Sequence, residues 1–215
     1  MIAHPPKVIA VGGFSSDTGK TTLMCDLLRA FPGWEAIKTT RGHYRSCGKD
    51  PHACCVSHLL SDEPVLRSGY TQTFSPGKDT GRYWDAGAKN DHWLIASDSQ
   101  LEQGIKQALR TVTSEGVFIE GNSFTEYVVV DAMIMTIRES QSTFKRSAKR
   151  ALLQATALYV WPDLNPSRGP RDVAESIVGR DADLLERVHQ IPSYTQETFS
   201  ELVFSLRELK HPVAA

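Results

Sequence analysis

The chain has 215 residues, 40% hydrophobic and 23% charged, which excludes a disordered or fibrous protein and leaves room for one well-filled domain. Its 24 Lys and Arg stand against 25 Asp and Glu, a net charge of -1 that argues against nucleic acid as a partner. No apolar run reaches the roughly 18 residues that cross a bilayer, so no membrane partner is expected either.

The opening segment MIAHPPKVIAVGG runs from an apolar stretch straight into glycines, as a first strand does and a signal peptide does not. A cytoplasmic location is the matching expectation. Strands are predicted at Lys7–Val11, Glu35–Thr39, Trp93–Ala96, Val117–Glu120, Met133–Ile137, Ala157–Trp161 and Val188–Ile191. Amphipathic helices are predicted at Lys20–Phe31, Leu101–Val112, Phe144–Ala155 and Thr198–Leu209. Strands alternating with helices predict a single α/β domain, residues 1–215, with a mostly parallel sheet covered on both faces. Ligands of such sheets bind beyond the carboxyl ends of the strands.

The strongest functional signal is VIAVGGFSSDTGKTTL, an apolar strand, a glycine-flanked loop and a helix start. Phosphate recognition needs inward backbone amides, a helix N-terminus, a cation and a hydroxyl for magnesium. Gly13, Ser15, Ser16, Thr18 and Gly19 supply the loop, Lys20 reaches the β- and γ-phosphates, Thr21 is the Mg²⁺ ligand and Thr22 adds a hydroxyl near the α-phosphate. Phe14 occupies the usual first-glycine position, so the loop is one residue longer with Gly13 in that part. Asp17 lies in the loop itself, either as a turn cap or as a water-positioning carboxylate. Downstream, GVFIEGNSF is a buried strand ending in Glu120, which can hold magnesium or orient an attacking water. The expected ligand is therefore Mg-ATP or Mg-GTP.

A second cluster is HYRSCGKDPHACCVSHLL, with His43, Cys47, Cys54, Cys55 and His58 in 16 positions. Asp50-Pro51 reads as a helix start, which places Cys54 and His58 four apart on one face. Thiolate and imidazole donors suit Zn²⁺ or another borderline-soft metal. Buried packing of the cysteines and a redox pair remain open alternatives. Cys25, inside the first helix, reads as core.

Together with WEAIKTT, SPGKDTGRYWDAGA and Glu120-Gly121, the phosphate loop resembles the molybdopterin-guanine dinucleotide accessory protein (MobB) family over residues 7–165. That family belongs to the SIMIBI class of P-loop NTPases, with nickel chaperones and dethiobiotin synthetase among its relatives. The resemblance implies a three-layer P-loop NTPase fold, phosphate binding by Lys20 and Thr21, a magnesium-linked Glu120, and a functional loop around Lys78, Asp79 and Arg82. It also implies slow nucleotide hydrolysis coupled to delivery of a cofactor or metal to a client metalloenzyme, and a homodimer. The dethiobiotin-like alternative is a kinase or ligase in which Arg41, Lys78 and Arg82 hold a small anionic acceptor and Asp79 pairs with a neighbouring cation. A third reading is a metal carrier with a nucleotide switch. Two segments depart from the family pattern. The end of the second strand reads Lys38-Thr39-Thr40-Arg41-Gly42-His43 where the family is histidine-rich, and only Asp163 remains of the guanine-reading Asn-Lys-x-Asp. Trp161 and Pro162 before it would wall an adenine.

Overall fold

A computed structural model describes residues 5–42, 57–141, 143–162 and 168–209. The strands are β1 (Lys7–Gly13), β2 (Glu35–Arg41), β3 (Val65–Ser68), β4 (Asp91–Ala96), β5 (Gly116–Glu120), β6 (Ala132–Arg138), β7 (Ala157–Trp161) and β8 (Ser193–Tyr194). The helices are α1 (Lys20–Ala30), α2 (Tyr70–Thr73), α3 (Asp79–Asp85), α4 (Leu101–Thr111), α5 (Arg146–Leu153), α6 (Pro170–Val178), α7 (Ala182–Gln190) and α8 (Phe199–Arg207). They build an eight-stranded sheet in the order β3-β4-β2-β5-β1-β6-β7-β8, parallel throughout except for the antiparallel β3–β4 edge.

Central β1 is apolar on both sides because both sides are covered. Val8 and Ala10 enter the core beneath α4 to α7, while Ile9 and Val11 enter the core beneath α1, α3 and α8. This is a three-layer α/β fold of the P-loop type, as expected from the alternation of elements. Among the described residues no helix is long and apolar enough to cross a membrane.

Six predicted strands recur within two residues of their bounds, and so do all four predicted helices. The seventh strand is a correction: Val188–Gln190 closes α7, and the strand lies at Ser193–Tyr194 instead. The Asp181 side chain accepts from the Leu184 amide at 3.4 Å, which starts a helix whose Leu184 and Val188 lie on one buried face. The helix stops before Pro192, which disfavours helical backbone at Ile191. Edge strand β3 was not anticipated from the sequence. Its four half-buried residues show no clean alternation.

Chain direction fixes the site. From β1 the chain moves over β5 to β2, whereas β5 is followed by β6 on the other side of β1. The carboxyl ends of β1, β2, β5 and β6 therefore surround a switch in winding direction, where open α/β sheets bind ligands.

Candidate functional site

A cleft of about 650 Å³ opens at that edge, lined by residues 16–22, 38–41, 79, 82, 120, 121, 138 and 145. Six cationic side chains line it against three carboxylates, so it favours an anionic ligand. Its size suits a nucleotide.

The floor is the loop between β1 and α1. Thr18 and the Lys20 stem fold back over Gly13, where a Cβ would lie 2.2 Å from Thr18 Oγ1 and 3.1 Å from Lys20 Cδ. Asn122 clasps the same glycine: the Gly13 amide donates to its Oδ1 and its Nδ2 donates to the Gly13 carbonyl, each at 2.9 Å. A side chain at Gly13 would therefore collide with the folded-back loop. Phe14, at the ordinary glycine position, turns inward, is fully buried, and packs on Phe144 with ring centroids 4.8 Å apart. Gly19 enters α1 with φ of 81°, and any Cβ there would meet the Trp161 indole at 2.3 Å. Trp161 therefore packs against the loop. Pro162 instead lines a separate cleft of 540 Å³ with Arg168, Thr195, Gln196 and Glu197.

Lys20 Nζ donates to the Ser15 carbonyl at 2.9 Å, which aims the ammonium into the loop. Burial lowers its pKa from the ordinary lysine value, against the opposing pull of Glu120. Lys145 Nζ donates to Ser16 Oγ at 2.7 Å, closing the outer side. Asp17 is exposed at the rim of the cleft with φ of 58°, a left-handed turn position.

Beside the loop lies a polar cluster that the sequence only half discloses. Thr21 Oγ1 lies 3.0 Å from both Asp79 Oδ1 and Glu120 Oε2. Lys38 Nζ bridges the same carboxylates, 2.6 Å from Asp79 Oδ2 and 2.5 Å from Glu120 Oε1. The buried Tyr83 hydroxyl donates to Glu120, and Thr39 Oγ1 donates to the Glu120 carbonyl at 2.6 Å. Burial pulls the Lys38 pKa down, but Glu120 and Asp79 outweigh it and hold the pKa above the ordinary value. Burial likewise works against ionised Asp79, yet the adjacent Lys38 keeps that carboxyl below its usual range. A hydroxyl and two carboxylates converging on one point form a hard oxygen set that fits Mg²⁺.

Asp79 comes from α3, formed by the segment expected to be a functional loop. Its partner is Lys38, not Lys78 or Arg82. Lys78 is exposed just ahead of α3 and lies outside the cleft. Arg82 lines the cleft and donates to Thr22 Oγ1 at 3.2 Å, so Thr22 is held by this arginine. Arg41 lines the cleft while pairing with Asp98 at 3.2 Å. His58 is exposed on a single 3-10 turn, Ser57–Leu59. His43, Cys47, Cys54, Cys55 and Asp163 lie outside the described residues. Among the described residues no three His, Cys, Asp or Glu side chains gather as a metal site of that kind. Cys25 is buried, as expected, and burial raises its thiol pKa.

No family model and no curated protein matches this chain. Among solved structures it is similar to HypB from Helicobacter pylori in complex with nickel, at 12% identity and a TM-score of 0.49, over 98% of this chain and 92% of that one. It is also similar to LpxK from Aquifex aeolicus in complex with ATP, at 18% identity and a TM-score of 0.46, over 73% of this chain. Zn(II)-bound YjiA GTPase from E. coli aligns at 13% identity and a TM-score of 0.38, over 89% of this chain and 57% of that one. The aligned part spans about half the length of LpxK, 48%.

Proposed function

We propose that the chain binds a magnesium–nucleoside triphosphate and cleaves its terminal phosphoanhydride bond. The observation that carries this reading is the meeting of Thr21, Asp79 and Glu120 beside Lys20 at the mouth of the loop. The loop amides and Lys20 hold the β- and γ-phosphates and stabilise charge that builds up during transfer. Thr21, Asp79 and Glu120 would hold Mg²⁺, which neutralises phosphate oxygens when bound. Lys38 pairs with both carboxylates and puts a second ammonium on the same wall. Glu120 and Asp17 are the carboxylates available to orient an attacking water. The cleft around Pro162 and Thr195 lies along the same sheet edge and would take the base of ATP or GTP.

Titration of the tag-free protein with Mg-ATP and Mg-GTP, with phosphate release followed in parallel, tests this reading. Wild type should bind at least one of them at sub-millimolar concentration, and Lys20→Ala should lose about a hundredfold or more in hydrolysis while staying folded. Absence of affinity for either nucleotide in wild type would refute it.

The MobB resemblance supports a finer reading, in which slow hydrolysis by a homodimer drives delivery of a cofactor or metal to a client metalloenzyme. The density of cysteine and histidine over residues 43–58 favours metal as the cargo. Near-stoichiometric zinc or nickel in the purified protein, lost in Cys54→Ser, is the result this version expects.

A further inference from the structure

A second chamber adjoins the phosphate loop on the side away from α3, and the nucleotide reading leaves it without a role. Its inner part, 280 Å³, shares Lys20, Thr39, Arg41, Gly121 and Lys145 with the main cleft. Its outer part, 550 Å³, continues over Ser123 and Ser147 to Tyr127, Arg146 and Arg150. Lys20, which grips the terminal phosphates in the nucleotide reading, borders both spaces. A molecule lying in the chamber therefore has one end next to the bond that is cleaved.

The charge of the chamber is not balanced from within. Its two carboxylates are spent on two of its arginines: Asp98 pairs with Arg41 at 3.2 Å, and Glu126 pairs with Arg150 at 2.6 Å. Lys145 Nζ donates to the Ser16 hydroxyl, and among the described residues neither Lys145 nor Arg146 has an ionic partner. Apart from Lys20, two cations are thus left over on a wall that otherwise presents hydroxyls, the Asn122 amide, Leu101 and one aromatic ring. Such a wall recognises a small polar molecule with an anionic group at its outer end.

We propose that this chamber binds a second substrate, a small hydroxylated molecule carrying a phosphate or carboxylate that Lys145 and Arg146 hold. The proposal rests on the nucleotide reading and makes the chain a phosphotransferase. In the step, a bond forms from an acceptor oxygen to the γ-phosphorus as the bond from that phosphorus to the β,γ-bridging oxygen breaks. The nucleoside diphosphate leaves with the electron pair, and the acceptor's proton passes to a carboxylate of the cleft and on to water.

The test uses the full chain saturated with the Mg-nucleoside diphosphate, so that the phosphate loop is filled. Glycerol 3-phosphate and succinate are titrated as probes, with glycerol as the neutral control, and thermal stability is read. The expected result is stabilisation by one of the anions and none by glycerol, and the anion that binds identifies the group recognised. Arg146→Glu should weaken that binding about tenfold or more by turning attraction into repulsion, while Arg110→Glu, an equal charge change elsewhere, should not. Arg146 is an exposed first-turn residue where an acidic side chain suits the helix dipole, so the variant should fold. No stabilisation by either anion, or equal stabilisation in Arg146→Glu, would overturn the proposal. A protein that fails to bind the Mg-nucleotide at all would overturn the nucleotide reading and this inference with it, a failure visible before any anion is added.

Discussion

Lys38 is the residue whose removal discriminates best between a structural ion pair and a metal-ready site. Its side chain is 17% exposed and its ammonium is shared by Glu120, 3% exposed, and Asp79, 41% exposed. In Lys38→Met both carboxylates lose their common counter-charge while the packed stem is largely kept. Stripping one partner from a buried ion pair typically costs about 3–5 kcal/mol, and water reaching Asp79 should bring this to about 2–4 kcal/mol. For a chain of this size that is a fall in Tm of roughly 6–12 °C. If Thr21, Asp79 and Glu120 form a magnesium site, the cation should replace the missing charge. With an affinity of about 1 mM, about 10 mM Mg²⁺ should restore about 1.4 kcal/mol. Wild type, already neutralised by Lys38, should respond less. Differential scanning calorimetry of both proteins, with and without MgCl₂ and with NaCl matched for ionic strength, reads the difference. Equal responses to magnesium in the two proteins would refute the assignment of these oxygens to a metal.

Two further outcomes follow from single contacts. Gly13→Ala places a methyl 2.2 Å from Thr18 Oγ1 and 2.9 Å from Thr136 Oγ1, so the loop must shift; nucleotide binding measured by calorimetric titration should fall below detection even where circular dichroism shows a folded protein. Asp91 is fully buried at the amino end of β4, and burial pushes its pKa up to about 7 against the opposing pull of Thr73 and the His92 backbone. Because the folded state holds this proton more tightly than the unfolded chain, stability should fall as pH rises from the ordinary carboxylate range to about 7, then level off. Asp91→Asn should therefore be more stable than wild type at pH 8, by on the order of 2 kcal/mol in urea denaturation, with the gain vanishing near pH 4. A gain that does not change with pH would place the cause in packing rather than in ionisation.

The parts legible in the sequence were those in which a local pattern carries the chemistry. Gly19-Lys20-Thr21 follows an apolar strand and opens an amphipathic helix, and Glu120 ends a strand buried on both faces. Each announces its position without reference to the rest of the chain. Lys38 and Asp79 are different. Lys38 stands in an apolar strand beside two threonines, where a lone lysine ordinarily reads as a strand end reaching water. Asp79 sits between Lys78 and Arg82, so sequence proximity suggested the wrong partners. What joins Lys38 to Asp79 is topology: β2 and β5 are neighbours, and α3 crosses their face to bury Tyr83 and deliver Asp79 to the same point. The one available signal was that Lys38 in WEAIKTT and Glu120 in GVFIEG both stand at the carboxyl ends of predicted parallel strands, where side chains of opposite charge meet if the strands are adjacent. The sheet pairs those two residues in register, Lys38 opposite Glu120, so the charge that this centre needs is supplied across the sheet and not along the chain.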